Sequence, residues 1–357
     1  MDPPEPFPIL RLPFLAIEEV FKSLHPIEII NFSLISNRTK QITKMMTVCP
    51  KYLVALDIDK NLQIDIRGTN ETISCIYVMT SEENVDGETE EIDEDGCINR
   101  KIYKYSKDPV DEWKQLSIYV LEIFKTQTID VFTMYLDLFV DQNKSIIDFL
   151  KTNVKSIDEC ILSQRKDEIN VDEDFGYLLD NLKINDMLYS MLNIKDDNFD
   201  GKIPRNLKHL IIKHANWIGY EKLLEIDSVT VDIWKHRISN KDWNLFIKKW
   251  MAMETHFNLE ILEFELNSFE DFRELILHDI PHEEVAEEVK RTLITELVLH
   301  DIPHEVVDED IKRTLNMSVD QGSYGSPREI SGGIDIKRID GKTATFSVHH
   351  TEWGDNF

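Results

Sequence analysis

The chain of 357 residues has little glycine, little cysteine and no catalytic signature. Its 12 glycines form neither a GxGxxG fingerprint nor a Walker loop, which excludes the usual phosphate-binding loops. GxSxG, HExxH and kinase motifs are missing as well. The four cysteines are widely separated and form no CxxC pair, so reduced thiols are favoured over disulfides or a zinc site. The sequence therefore predicts a non-catalytic protein without a cofactor or a metal.

Positive charge and long apolar runs are also scarce. Lys and Arg number 40 against 67 Asp and Glu, and the net charge of −27 repels phosphate backbones and anionic lipid surfaces. No apolar run approaches the ~18 residues that a membrane span needs. The opening MDPPEPFP has no basic start and no small-residue cleavage site, so no secretory signal is predicted. We expect a soluble cytoplasmic or nuclear protein with neither a nucleic-acid nor a membrane partner.

A dense apolar stretch at residues 12–36 predicts a small helical unit. Pro13 suits a first helical turn, and Ile17, Val20 and Leu24 then share one face of the helix. Pro26 ends this helix and begins a second that is apolar nearly all round, before a third, basic helix. Three helices in about 35 residues make too small a core to stand alone comfortably. Part of their apolar surface is therefore expected to bind a partner.

Residues 51–127 carry strand patterns, an acidic segment and a helix start. Apolar and polar residues alternate from Leu62 to Ile66, and strand-like runs at 73–79 and 98–105 predict an antiparallel patch. Between the last two runs, nine of the fourteen residues of 82–95 are acidic, which predicts a mobile loop rather than a spaced calcium site. Asp108-Pro109 predicts an N-cap and the first turn of a connecting helix.

From residue 128 to residue 315 the chain alternates strand and helix patterns. Several strands carry LxxLxL-like apolar spacing, which is typical of leucine-rich repeats, although the spacing here is irregular. The predicted fold class is therefore α/β (α+β overall): a three-helix N-terminal unit followed by an irregular leucine-rich-repeat-like solenoid with antiparallel β additions. The predicted strands are 129–134, 154–161, 207–212, 229–233, 259–264 and 295–299.

One internal repeat is unmistakable, because residues 274–293 return at 296–315 with 15 of 20 positions identical. An offset of 22 residues matches one strand-plus-helix unit, so we interpret the repeat as a duplicated structural unit. Each copy contains HxxxH, formed by His278 and His282 and again by His300 and His304. Proline inside both motifs disfavours the helix that would direct two imidazoles at one metal, so duplicated loop residues are favoured over zinc ligands.

The remaining features are structural. Two strand patterns surround Asp340-Gly341, which predicts a terminal β-hairpin at residues 328–350. Four tryptophans are interpreted as core residues rather than a ligand box, because helical spacing of aromatic residues is typical of a buried face. They are Trp217, Trp234, Trp243 and Trp250.

The N-terminal stretch FPILRLPFLAIEEVFKSLHPIEIINFSLISNRTKQI resembles an F-box over residues 6–48, particularly in its Leu12-Pro13 pair. It departs from the commonest pattern at Ile35 and in having no tryptophan after Arg38. The later segments IYKYSKDPVDEW, SIIDFLKTNVKSIDEC, NKDWNLFIKKW and DIKRIDGKTAT are similar to F-box-associated type 2 proteins of nematodes. The resemblance spans nearly the whole chain.

This resemblance implies a substrate-recognition adaptor of a Skp–cullin–F-box ubiquitin ligase. The F-box would dock on a Skp-type linker, and through it on a cullin-RING ligase, while the associated domain holds an unidentified protein target. A non-catalytic interaction module that acts outside a ligase is the alternative. For Ile17, Val20 and Leu24 the choice between linker contact and core packing stays open. The expected linker-binding residues are Leu12, Pro13, Ile17, Val20, Leu24, Pro26, Ile29, Ile30, Phe32, Leu34 and Ser36.

Overall fold

A computed structural model describes residues 9–47, 52–68, 73–94, 97–266, 271–293, 296–301 and 328–350. The chain divides into two compact units, Met1–Asn185 and Asp186–Phe357. This division falls inside the segment 128–315, which the sequence predicts to be one domain. The predicted domain limits at 6–48, 51–127, 128–315 and 328–350 stay predictions.

The first unit begins with the three expected helices, α1 (Phe14–Ser23), α2 (Pro26–Leu34) and α3 (Asn37–Met46). Pro26 occupies the first turn of α2, and the Nδ1 atom of His25 accepts a hydrogen bond from the backbone of Ile27 at 3.3 Å. Burial lowers the pKa of His25 and so favours the neutral ring that can accept this bond. Ser36 caps α3 by accepting from the backbone N–H of Thr39 at 3.1 Å.

A mixed sheet follows in the same unit, with the strand order β7-β6-β1-β2-β3-β5-β4. Strands β7, β6 and β1 pair in parallel, and β1, β2 and β3 pair antiparallel. The strands are β1 (Tyr52–Ile58), β2 (Leu62–Gly68), β3 (Ile73–Thr80), β4 (Thr89–Glu94), β5 (Cys97–Tyr105), β6 (Thr128–Tyr135) and β7 (Ser156–Ser163). The helices are α4 (Pro109–Phe124), α5 (Asn143–Asn153) and α6 (Asp172–Asn181).

The acidic segment is not the mobile loop that the sequence predicts. Residues 83–85 form a short 3-10 helix, and β4 pairs antiparallel with β5. Glu90 lies opposite Lys101, and Glu91 accepts a hydrogen bond from the Nε atom of Arg100 at 2.8 Å. The cations on β5 reduce the repulsion among the acidic side chains of β4, which the sequence of this segment alone does not show. The antiparallel patch also needs correction, because β3 and β5 pair in parallel.

The second unit contains a parallel ladder of short strands in the order β8-β9-β10-β11-β13-β15, extended antiparallel by β14 and β12. Strand β8 starts before the boundary, and residues 187–190 of it pair with β9. The strands are β8 (Ile184–Ser190), β9 (His209–Ile212), β10 (Thr230–Ile233), β11 (Ile261–Leu266), β12 (His282–Leu293), β13 (Glu296–Asp301), β14 (Arg328–Lys337) and β15 (Thr343–His350). The helices are α7 (Tyr220–Glu225) and α8 (Asn240–Met251).

The core of the second unit confirms the repeat-like sequence pattern. Leu210, Val231 and Leu262 occupy equivalent, buried positions on three neighbouring parallel strands. The side chains of Trp243 and Phe246 on α8 are also buried, and the Trp243 ring stacks on Phe264 with 3.9 Å between ring centroids. Alternating apolar residues on the strands thus face a covering helix, as the strand and helix patterns predict.

The first copy of the internal repeat does not form the predicted strand-plus-helix unit. Its beginning belongs to a π-helical turn at Phe272–Ile276, and its end forms β12, which pairs with β14. The side-chain amide of Asn244 on α8 donates to the carbonyls of Ile276 and His278 at 2.7 and 2.8 Å, so tertiary contacts decide the local conformation. The second copy starts as β13, and its residues 302–315 lie outside the described residues.

A half-buried carboxylate in the first unit makes stability depend on pH. Asp57 alternates along β1 with the buried Leu56 and Ile58, so it lies on the opposite face of the sheet. Burial, with added repulsion from Asp59 and Asp65, raises the pKa of Asp57 to about 6. A raised carboxyl pKa means that the folded protein binds more protons than the unfolded chain between about pH 4 and 6. Stability is therefore lost as the pH rises through this window.

We expect Asp57→Asn to increase the free energy of unfolding at pH 7.5 by about 1 kcal/mol, allowing for solvent screening, because it removes an ionised, half-buried carboxylate. The gain should disappear at pH 4, where Asp57 is protonated. Urea denaturation at both pH values measures the difference, with Asp141→Asn on an exposed residue as the matched control. An equal effect of Asp57→Asn at both pH values would contradict the assignment.

Candidate functional site

The three N-terminal helices divide the predicted linker-binding residues into buried and exposed groups. Ile29 and Ile30 are each only 1% exposed, and Ile17 and Pro26 are buried as well. Leu12, Val20, Leu24 and Phe32 are partly exposed. Pro13, Leu34 and Ser36 are exposed, and Leu34 retains 61% of its accessible surface. The structure thus does not bring the eleven residues together on one accessible surface.

Several strongly exposed apolar residues were missed by sequence reasoning. Leu15 is 73% exposed and Ile35 is 71% exposed, and Phe14 and Met45 are also exposed. Together with Leu34, these residues are called the exposed apolar set: Phe14, Leu15, Leu34, Ile35 and Met45. Their signal in the sequence is that they lie off the face defined by Ile17 and Phe21, or at helix ends. Burying one such side chain at an interface contributes ~1.5 to 3 kcal/mol.

The buried face of the helices packs on α4 in the same unit. The hydroxyl groups of Ser33 and Tyr119 share a hydrogen bond of 2.8 Å, and the Thr47 hydroxyl donates to the carbonyl of Ile123 at 2.6 Å. Glu122 accepts from Lys40 and Lys44 at 2.7 and 3.2 Å, and these lysines lower its pKa. The α2 helix is apolar nearly all round, and part of its surface is therefore covered by α4 of the same chain.

A shallow cleft of about 390 Å³ opens beside this junction. It lies between α3, the C-terminal end of α4 and the segment that leads into β6. Its lining combines apolar side chains with two lysines, and its one carboxylate is held by Lys40 and Lys44. A carboxylate paired in this way is poorly suited to general acid or base catalysis. The cleft is lined by Lys44, Ile118, Leu121, Glu122, Lys125, Thr126, Gln127 and Asn153.

In the second unit, a polar cluster lies on the sheet face opposite the helices. Lys213 contacts Asp232 at 2.6 Å and lies 4.9 Å from the centre of the Trp234 ring. Trp234 in turn donates its indole N–H to Asp232. Trp234 is therefore partly exposed on this face, and its assignment to the core was wrong. Trp217, Trp243 and Trp250 are buried, as predicted.

The first HxxxH motif has no metal-binding geometry. His278 is exposed next to Asp279 in a turn, whereas His282 begins β12 and its Nδ1–H donates to the carbonyl of Ile280 at 2.8 Å. Within the described part of the chain, no group of three or more His, Cys, Asp or Glu side chains could hold a metal ion. The side chains of His300 and His304 lie outside the described residues.

Two family models match the chain at these places. Residues 9–51, which contain α1 to α3, match the F-box domain, and residues 198–264 match a model described as F-box associated. The second match contains β9, β10, α7 and α8, together with the Lys213, Asp232 and Trp234 cluster. The chain therefore contains an F-box domain followed by an F-box-associated domain, as the sequence resemblance predicts.

Two relatives come from the nematode Caenorhabditis elegans. One, named E3 ubiquitin-protein ligase hecw-1, is 22% identical over 70% of this chain. The chain spans only 22% of that protein's length. The other, named Skn-1 dependent zygotic transcript 15 protein, is 22% identical over 73% of this chain and 81% of its own length. No solved structure matches the chain. Among the helices that the structure describes, none is long and apolar enough to cross a membrane.

Substitutions of exposed and of buried F-box residues are predicted to change stability by different amounts. We expect Leu15→Ser and Ile35→Ser to change the free energy of unfolding by less than about 0.5 kcal/mol, because both side chains are exposed. Ile30→Ala should cost about 2 to 5 kcal/mol, since it leaves a cavity between α2 and the rest of the first unit. Urea denaturation of the full chain tests both expectations. A large loss for Leu15→Ser or Ile35→Ser would show that these residues belong to the core.

Proposed function

We propose that the protein is a substrate-recognition adaptor of a Skp–cullin–F-box ubiquitin ligase. The observation that carries the proposal is the exposed apolar set on three helices that match the F-box domain. The α2 and α3 helices pack on α4, whereas the side chains of the exposed apolar set are left open to solvent. Exposed apolar side chains favour association with a partner that can cover them. A Skp-type linker, which would connect the chain to a cullin-RING ligase, is the partner that an F-box implies.

In this proposal, the eleven predicted residues take different roles according to their exposure. Pro13, Leu34 and Ser36, together with the partly exposed Leu12 and Phe32, are accessible to the linker. The buried residues would hold the docking helices in place without touching the linker. They are Ile17, Pro26, Ile29 and Ile30. Val20 and Leu24 are partly exposed and could contribute to either surface. The most exposed members of the apolar set, Leu15 and Ile35, join the predicted contacts.

The F-box-associated domain would hold a protein target, and the adaptor itself would catalyse nothing. The relative named as an E3 ubiquitin-protein ligase supports a role connected with ubiquitin. Two buried thiols suit the reducing cytoplasm or nucleus, where we place the protein. Burial raises the pKa of Cys75 to about 12 and that of Cys160 further, so both stay protonated and unreactive. We propose neither a nucleic-acid nor a membrane partner.

Three variants of the full chain test the linker interface. Leu12-Pro13→Ala-Ala, Leu15→Ser and Ile35→Ser should each weaken capture of a purified Skp-type linker by about tenfold or more, because truncating an interface anchor costs ~1 to 2 kcal/mol or more. Calorimetric titration of the linker measures the affinity. Val140→Ser is the matched control, since Val140 has 44% of its surface exposed in the same unit but outside the F-box.

The alternative, an interaction module that acts outside a ligase, makes a different prediction. In that case the wild-type chain would not bind a Skp-type linker, although it would still recover other partners. Unchanged linker affinity in all three F-box variants would refute the proposed interface.

A further inference from the structure

The cleft beside the F-box is a basic island on an acidic protein. The α3 helix contains Arg38, Lys40 and Lys44 and no acidic residue, and Lys125 is exposed at the end of α4. Glu122 is the one acidic residue in the cleft lining, and it is engaged by Lys40 and Lys44. The local excess of positive charge contrasts with the net charge of −27 for the whole chain. A partner that carries carboxylates would complement the positive charge of this cleft.

The floor of the cleft is apolar. Ile118, with 43% of its surface exposed, and the more deeply buried Leu121 lie one turn apart on α4. An exposed isoleucine in a concave setting can bury an apolar side chain of a partner, and the volume of about 390 Å³ accommodates one or two such side chains. The cleft thus combines an apolar floor with a basic rim, which fits an acidic amphipathic segment.

The walls of the cleft are firmly positioned. Lys125 ends α4 in the left-handed conformation with φ at 53°, and its backbone N–H bonds to the carbonyl of Leu121. The Gln127 carbonyl accepts from the backbone N–H of Lys155 at 2.7 Å, which ties this edge to the end of α5. A surface held in this way loses little conformational entropy when a ligand binds.

Position identifies the source of the ligand. Lys44 lines the cleft and also belongs to the F-box match, and its neighbour Met45 is a member of the exposed apolar set. The cleft therefore borders α3, one of the three helices proposed to bind the linker. We propose that this cleft, outside the F-box helices except for Lys44, binds an acidic amphipathic segment of the Skp-type linker. The inference rests on the proposed function, because it extends the same interface onto α4.

Charge and apolar variants of the full chain test the cleft. Lys125→Glu should weaken the linker about tenfold and reduce the dependence of the affinity on salt, because it reverses a rim charge. Ile118→Ser should weaken the linker about five- to tenfold. Lys107→Glu makes the same charge change at an exposed position before the other end of α4, and Val140→Ser makes a matched apolar-to-polar change. Both control variants should bind like the wild type.

A second measurement locates the contact directly. Zero-length carbodiimide cross-linking of the complex, followed by mass spectrometry, should join Lys125 or Lys44 to an Asp or Glu of the linker. Wild-type affinity for Lys125→Glu and Ile118→Ser, or cross-links from Lys125 only to a second copy of this chain, would overturn the inference. Binding of a poly(U) RNA probe through Lys125 without linker cross-links would overturn it too. If the wild-type chain fails to bind the linker at all, the proposed function itself is wrong.

Discussion

The packing of α2 and α3 on α4 determines which part of the F-box is available to a partner. The hydroxyl pair of Ser33 and Tyr119 and the bond from Thr47 to the carbonyl of Ile123 attach the inner face of the helices to the body of the first unit. Glu122 adds a charged contact to Lys40 and Lys44. Ile29 and Ile30 are already buried within this chain, without a second protein. The apolar residues that remain exposed are those that a partner protein can contact.

Much of the local structure follows from signals that act over a few residues. Pro26 starts α2, and Asp108 caps α4 by accepting from the N–H of Asp111 at 3.0 Å, both as the sequence predicts. Ser36 caps α3 by the same kind of local bond. The alternation of strands and helices after residue 128 can also be predicted from the sequence. Buried parallel strands and amphipathic helices differ in the spacing of their apolar residues. Gly341 adopts φ of 89° between β14 and β15, as its Asp-Gly turn requires.

The failures share a different cause, since each depends on contacts between distant segments. Strand β4 forms because Arg100 and Lys101 lie opposite its glutamates. The first repeat copy becomes a π-helical turn and a strand because α8 and β14 supply its hydrogen bonds, although the nearly identical start of the second copy is a strand. The division of the F-box residues into buried and exposed groups depends on α4, whose place against α2 and α3 no local pattern reveals.

In the second unit, the polar groups of the sheet face pair largely with each other. Lys213, Asp232 and Trp234 form such a cluster within the F-box-associated match. Burial also lowers the pKa of His236 and of His256 to about 4, which keeps both rings neutral beside the aromatic side chains of the core. These contacts satisfy polar side chains that lie on and around the short strands of the domain.

The central claim is that the F-box helices bind a Skp-type linker by their exposed face while α4 occupies the other face. Hydrogen–deuterium exchange of the full chain, with and without the purified linker, tests this claim most directly. The account predicts new protection at the start of α1, at the end of α2 and along α3, with no change in residues 198–264. Protection confined to the second unit, or no change anywhere in α1 to α3, would contradict it.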